Sequence, residues 1–188
     1  HLCTPLHNNA RGVIINFEDA LLRNYLILSP NWLTKSLYLA LENKIVKDEL
    51  SGRITSNFVE KLWKSKNYSD EDYQVLLNLM LKDNFEIAYK VEGKEDDYVI
   101  PMLLPDMSLK YEFNTINVIT LIIRFKFMPY GVFSRLVVQL NNYIDVQNVN
   151  GYEKQIVWKK GMLLKSNQES SAEVIESDDR EQTPKEIK

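Results

Sequence analysis

The longest apolar run in the chain predicts a strand that turns directly into a helix. Residues Ile116–Phe127 are rich in β-branched side chains, which is typical of a mostly buried strand. Pro129 and Gly131 come next, and proline is favoured in a first helical turn because its missing N–H has no partner to lose there. Apolar residues then recur at helical spacing and form one stripe, made of Val132, Phe133, Leu136, Val137 and Leu140. The pattern indicates a strand and a helix packed on one sheet.

The first hundred residues carry the pattern of three helices followed by a β-hairpin. Ser29 and Pro30 mark the start of the first helix, because an N-cap hydroxyl precedes proline at the first helical position. The third helix is expected over Asp70–Lys82. Two strands are predicted over Phe85–Val91 and Tyr98–Leu103, joined by a charged turn. This order is that of a winged helix-turn-helix.

The C-terminal part predicts further strands and an acidic tail. Gln155–Lys165 has the pattern of one strand, with Gly161 near a bend or bulge. From Ser166 onward the chain is poor in apolar residues and rich in acids, so we expect weak order there, with a short strand at Ala172–Ile175. Helices and antiparallel hairpins together place the chain in the α+β class.

Composition and charge exclude several classes of protein. The chain has 188 residues, of which 45% are hydrophobic, so it can bury one large core or two small ones. Its net charge of −3 does not attract nucleic acid or anionic membranes. The single cysteine, Cys3, excludes an intramolecular disulfide and fits a reducing compartment. No apolar run is long enough to cross a bilayer. We therefore expect a cytoplasmic protein without membrane insertion, cut from a longer chain.

The sequence contains few residue patterns that are typical of a catalytic or metal-binding site. His1, Cys3 and His7 are metal-ligating residue types, but no fourth ligand follows at zinc spacing, and a frayed terminus is the favoured interpretation. There is no G-x-S-x-G turn, no phosphate-binding glycine loop and no kinase signature. We expect no catalytic residue, no cofactor and no metal, and therefore no enzymatic activity in this chain itself.

The winged-helix order raises DNA binding as an alternative, since that is its frequent use. The third helix would enter the major groove, but Ser69–Asp83 has a net charge of −3. The hairpin turn is acidic too, so phosphate would be repelled from both elements. Among the aromatic residues, Trp32 and Trp63 lie on apolar helix stripes and are expected in the core. For Trp158, core and interface remain equally open.

Five stretches, in order, resemble the landmarks of a COR domain, the segment that follows the Roc GTPase domain in Roco proteins such as the leucine-rich-repeat kinases. The fourth is similar to the family's P-x-G-[FW]-x-S-R-L motif, and the fifth to its W-R-x-G motif, with Lys159 where arginine is usual. The stretches are GVIINFED (12–19), LSPNWL (28–33), YVIPMLLP (98–105), FMPYGVFSRL (127–136) and WKKG (158–161).

The resemblance implies two subdomains and a role in signalling. It implies a winged-helix-like COR-A over 1–108, a partial sheet-plus-helix COR-B over 109–165 and an acidic tail over 166–188. In that family COR packs on Roc, couples its nucleotide state to neighbouring domains and dimerises largely through COR-B. The chain lacks Roc and is expected to stop before the last COR-B strands. Its parent is expected to be a GTPase, and a kinase domain in that parent is a further expectation.

The resemblance also names candidate contact residues. The expected contact with Roc comprises Phe127, Tyr130, Phe133 and Arg135. Trp158 and Lys159 are candidates for a homodimer interface. The alternative outside this family is a winged-helix adaptor that binds another protein through its acidic hairpin turn. Binding measured at increasing ionic strength distinguishes the COR module from the adaptor. A contact through the acidic turn weakens steeply in salt, whereas an apolar contact with Roc does not.

Overall fold

The structure is a computed structural model that describes residues 29–81, 85–106, 110–113, 119–166 and 170–177. The described residues form helices and three small antiparallel sheets, which confirms the α+β class. Contacts divide the chain into two units, His1–Leu103 and Leu104–Lys188.

The first unit contains three α-helices and one three-stranded sheet. Its helices are α1 (Pro30–Leu41), α2 (Ser56–Lys64) and α3 (Asp70–Met80), with a π-helical turn at Ile45–Glu49 after α1 and a 3-10 turn at Pro101–Leu103. Its strands are β1 (Arg53–Thr55), β2 (Tyr89–Lys90) and β3 (Asp97–Val99). They pair antiparallel in the order β1-β3-β2, so β3 is the central strand.

The helices of the first unit begin at side-chain caps. The Ser29 hydroxyl accepts from the backbone N–H of Trp32 at 3.3 Å, and Pro30 follows it, which confirms the predicted start of α1. Ser69 and Asp72 form a reciprocal capping box at the start of α3. The backbone N–H of Asp72 donates to the Ser69 hydroxyl at 3.1 Å, and the backbone N–H of Ser69 donates to the Asp72 carboxylate at 3.0 Å. These caps satisfy N–H groups that the first helical turns leave without an internal partner.

The core of the first unit is built around Trp63. Its ring is fully buried, and its indole N–H donates to the backbone carbonyl of Ser36 at 2.9 Å. Leu76, Leu79 and Met80 of α3 are also fully buried. The core position expected for Trp63 is confirmed, whereas Trp32 is partly buried and packs against this core.

The hairpin strands are shorter than the sequence pattern predicts. Strands were expected over Phe85–Val91 and Tyr98–Leu103, but pairing is confined to Tyr89–Lys90 and Asp97–Val99. Pro101 has no N–H to donate to a ladder, and the chain forms a 3-10 turn from that residue. Strand β1 has only three residues, which is too few for a periodic sequence pattern to predict it.

The second unit contains one α-helix and two small sheets. Its elements are α4 (Val132–Gln139), a 3-10 turn (Asn141–Tyr143), β4 (Val146–Val149), β5 (Tyr152–Gln155), β6 (Val157–Trp158), β7 (Gly161–Lys165) and β8 (Ser171–Ile175). β4 pairs with β5, and the other sheet has the order β6-β7-β8. The single strand predicted over Gln155–Lys165 is therefore wrong, because the chain reverses between β6 and β7. The short strand expected at Ala172–Ile175 is confirmed by β8.

The strand predicted over Ile116–Phe127 is not formed in its described part. Ile119–Phe127 has no regular secondary structure, and Ile119 is 94% exposed. Among the residues that the structure describes, no strand pairs with this segment, so a strong strand composition is not sufficient to form a strand here. The helix also begins later than expected, at Val132, since Gly131 rather than Pro129 lies at its N-cap.

Trp158 organises the face of the β6-β7-β8 sheet. Its indole lies directly over Gly161, leaving no room for a side chain at that position. Tyr111 stacks on the indole, with ring centroids 5.6 Å apart and planes 24° apart. The Tyr111 hydroxyl donates to a carboxylate oxygen of Glu173 on β8. Two causes raise the pKa of Tyr111 to about 12. The larger is burial of the phenol, and the smaller is the neighbouring carboxylate of Glu173.

Gly161→Ala is expected to destabilise the second unit by about 1–3 kcal/mol, because the added methyl group overlaps the Trp158 ring. Urea unfolding measures the change. In a Trp158→Phe background the smaller ring leaves more space, so the same substitution should have a smaller effect there. Equal effects in the two backgrounds would contradict this packing.

Tyr111→Phe is expected to lose stability relative to the native chain at neutral pH, because the hydrogen bond to Glu173 is removed. The pKa of Tyr111 rises from 10.0 in the unfolded chain to about 12 in the folded one, so its contribution is complete below pH 10 and disappears as pH rises through 12. Urea unfolding of both chains across this range should therefore show a shrinking difference. A pH-independent difference would exclude an ionisable contact.

Candidate functional site

A tight turn connects the exposed segment Ile119–Phe127 to α4. Gly131 adopts φ +85°, a left-handed conformation that strains other residues, and it forms the N-cap of the helix. The N–H of Val132 donates to the carbonyl of Pro129 at 3.3 Å, and that of Arg135 donates to the carbonyl of Gly131 at 3.0 Å. The turn therefore fixes the start of α4 and holds Tyr130 at its tip.

The four residues expected to contact Roc separate into surface and interior. Phe127 is 80% exposed and Tyr130 is 88% exposed, and Arg135 is also exposed. Phe133 is only 4% exposed. The structure thus brings three of the four onto the surface, while Phe133 anchors α4 in the interior.

The buried face of α4 is rotated from the predicted stripe. Phe133, Val137 and Val138 are buried, whereas Val132 and Leu136 remain well exposed. The apolar stripe predicted from the sequence includes both Val132 and Leu136, so their exposure corrects that prediction. The signal was present, because apolar residues at 132, 133, 136, 137 and 138 cover more of a short helix than one packed face requires.

The two candidate dimer residues take part in the packing of the second unit. Trp158 is 7% exposed and lies under Tyr111. The backbone N–H of Lys159 donates to the carbonyl of Pro105 at 2.9 Å, and its ammonium lies 3.2 Å from a carboxylate oxygen of Asp106. Of the two, only Lys159 offers a partly exposed side chain.

The surface formed by Phe127, Tyr130, Val132, Arg135 and Leu136 is apolar with positive charge, and we call it the turn surface. The sequence from Ile119 to Leu140 contains two arginines and one lysine and no acidic residue. Such a surface suits a protein partner with apolar pockets and carboxylates, since aromatic and arginine side chains dominate binding energy at protein interfaces.

Neither metal chemistry nor a membrane span is found among the residues that the structure describes. Within those ranges no three His, Cys, Asp or Glu side chains group as metal ligands. The candidates His1, Cys3 and His7 lie outside the described residues. No helix in the described part of the chain is both long and apolar enough to cross a membrane.

Comparison with known proteins gives two matches to protein families. The model for COR-A, the C-terminal of Roc, COR-A domain, matches residues 1–104. The model for COR-B, the C-terminal of Roc, COR-B domain, matches residues 117–188. Together they follow the order expected from the sequence motifs, and the second match includes the acidic tail.

Similar proteins are much longer than this chain. The probable serine/threonine-protein kinases qkgA and pats1 of Dictyostelium discoideum are 27% and 28% identical to it, each over 85% of the chain but only 10% and 5% of their own lengths. A Roc-COR-CHAT protease from an unknown prokaryotic organism is 24% identical over 89% of the chain and 15% of its own length. The chain thus spans a small part of the curated relatives it matches.

Among solved structures, the Methanosarcina barkeri Roco2 RocCORdC protein bound to GDP is similar to 49% of this chain. The similarity covers 28% of that protein, with 28% identity and a TM-score of 0.40. The two family matches cover most of the sequence and confirm the resemblance drawn from its motifs. The chain therefore belongs to the COR family of Roco proteins, with a COR-A region followed by a COR-B region.

Proposed function

We propose that this chain is a non-catalytic COR module that packs on the Roc GTPase domain of the same protein, couples its nucleotide state to neighbouring domains and supports dimerisation. The observation that carries the proposal is the turn surface, which presents Phe127, Tyr130 and Arg135 to solvent. Exposed aromatic side chains beside an arginine are typical of a protein-binding surface. Membership of the COR family, whose models are described as C-terminal of Roc, supports Roc as the partner.

Coupling would arise from differential packing. If the turn surface fits one nucleotide state of Roc better than the other, binding shifts the equilibrium between those states. The shift equals the difference between the two binding free energies and cannot exceed it. The chain then needs no catalytic residue, and GTP hydrolysis belongs to Roc. A kinase domain in the parent is also proposed, by similarity to the two Dictyostelium relatives, whose names describe them as probable kinases.

The first unit is proposed to be winged-helix-like and to act as a scaffold in the cytoplasm. The chain order α1-β1-α2-α3-β2-β3 and the sheet order β1-β3-β2 support this description. Its third helix begins with Asp70, Glu71 and Asp72, and these carboxylates disfavour an approach to nucleic acid. A protein neighbour is therefore the proposed partner of this unit.

Dimerisation is proposed for the second unit, with different roles for the two candidate residues. Because Trp158 is nearly buried, its contribution would be to hold Tyr111 and β7 in place rather than to touch the partner directly. Lys159 retains a partly exposed ammonium and is the residue of the pair that a second copy could contact.

Phe127→Ala and Arg135→Ala are each expected to weaken binding to the Roc domain of the same parent protein by about tenfold or more, as truncation at the centre of an interface does. Both side chains are exposed, so the free energy of unfolding should change by no more than about 0.5 kcal/mol. Calorimetric titration and urea unfolding measure the two quantities.

Two control variants make this test specific. Tyr152→Ala removes an aromatic side chain that is similarly exposed but lies on β5, away from the turn surface in sequence, and should leave affinity unchanged. Phe133→Ala removes a buried anchor and should cost about 3–5 kcal/mol of stability. If Phe127→Ala or Arg135→Ala lowers the melting temperature while affinity stays intact, that residue supports the fold and the proposed contact is wrong.

Salt dependence separates this proposal from the adaptor alternative. The turn between β2 and β3 exposes Glu92, Glu95 and Asp96, and binding through it would weaken steeply as ionic strength rises. Binding through the apolar part of the turn surface should change little over the same range. Replacing the three acids together by glutamine or asparagine should also leave Roc affinity within about twofold, since exposed charges that take no part in the contact contribute little.

A further inference from the structure

We propose that Asn150, in the turn between β4 and β5, is a site of spontaneous deamidation that the Asn148 side chain restrains in the folded chain. Deamidation exchanges a side-chain amide for a carboxylate, with water as its only co-reactant. Asn150 precedes Gly151, and no other asparagine in the sequence is followed by glycine. The inference concerns this turn alone, so it holds or fails independently of Roc binding.

The reaction is an acyl transfer between adjacent residues, and their proximity favours it. Hydroxide removes the N–H proton of Gly151, and the resulting nitrogen anion attacks the Cγ carbon of Asn150. A bond from that nitrogen to Cγ forms, and the bond from Cγ to the side-chain nitrogen breaks. Ammonia leaves with a proton from water, which regenerates hydroxide, and a cyclic imide remains. Water then adds to either ring carbonyl and breaks its bond to nitrogen, which gives aspartate or isoaspartate.

Exposure makes the turn accessible to hydroxide and water. Asn150 and Gly151 are both exposed, and Tyr152 beside them is 71% exposed. Apart from its chain neighbours, no heavy atom lies within 4 Å of the place that a Cβ of Gly151 would occupy. The approach of the Gly151 nitrogen to Asn150 is therefore free of side-chain hindrance whenever the backbone can rotate.

Two features of the folded turn oppose the attack. The first is conformation: φ is 56° at Asn150 and 84° at Gly151, as in a type I′ turn, and the pairing of Val149 with Tyr152 limits backbone rotation there. The second is a hydrogen bond, because the N–H of Gly151 donates to the Oδ1 of Asn148 at 2.9 Å. This bond must open before hydroxide can take the proton, so the attacking nitrogen forms only in the opened turn.

Modification changes both the charge and the backbone length of the hairpin. Either product adds one negative charge, and isoaspartate also inserts a methylene group into the main chain. A two-residue loop sets the register of its strands, so the added atom disfavours the pairing of Val149 with Tyr152. β4 also carries Gln147, whose side-chain amide bonds both backbone groups of Glu112 at 2.9 Å. Deamidation would therefore loosen the contact between the hairpin and the segment that contains Glu112.

Peptide mass spectrometry of the 188-residue chain, incubated in mildly alkaline buffer with and without urea, tests the proposal. In the unfolded chain Asn150 should deamidate, whereas Asn142 should stay intact over the same time, because the side chain of Tyr143 hinders the attack there. In the folded chain the rate at Asn150 should fall by about tenfold or more, since the reaction needs local opening. Equal reactivity of the two asparagines in urea, or equal rates at Asn150 with and without urea, would overturn the proposal.

Two variants at one position provide the matched control. Asn148→Ala removes the acceptor and should raise the rate in the folded chain by about fivefold or more, with the rate in urea unchanged. Asn148→Asp keeps a side-chain oxygen at the same place and should preserve the slow rate. If Asn148→Ala opens the hairpin, amide hydrogen exchange of the native chain still decides, because the Gly151 amide should exchange about tenfold or more slowly than in urea. An unprotected Gly151 amide, or a rate that Asn148→Ala leaves unchanged, would overturn the restraint.

Discussion

Backbone groups of an extended segment need a neighbouring strand, and this requirement decides which parts of the second unit become sheet. Gly161–Lys165 has neighbours on both sides and is largely buried. Ile119–Phe127 has the stronger strand composition but pairs with no strand in the described part of the chain, and it is exposed. The turn at Gly131 and the exposed face of α4 follow that segment. The surface available to a partner therefore depends on which part of the chain is left without strand pairing.

The first unit was largely predictable because its signals are local. Ser29 and Ser69 cap helices through hydrogen bonds to residues three positions away, and Trp63 lies on a regular apolar stripe. Strand pairing is not local in this sense. The three residues of β1 pair with β3, more than forty positions later, and no periodicity within such a short strand reveals its partner.

The candidate site remains a prediction, and the structure shows only the exposure of its residues. Phe127, Tyr130 and Arg135 of the turn motif lie on the surface, as contact with a partner would require. Sequence spacing could not decide which apolar residues of α4 face inward, because its apolar positions cover more than one face. For Phe133 the helical spacing predicts packing, whereas the resemblance names it as a contact with Roc, and the structure buries it. For Trp158 the sequence leaves core and interface equally open, because the ring that stacks on it, Tyr111, lies far away in sequence.

We propose that this COR chain distinguishes the nucleotide states of Roc. Calorimetric titration of the chain with the Roc domain of the same protein tests it most directly, once with Roc loaded with GDP and once with a non-hydrolysable GTP analogue. We expect different affinities in the two states, because only a difference in binding free energy can couple COR to the GTPase cycle. Equal affinities in both states would contradict coupling and leave a passive scaffold.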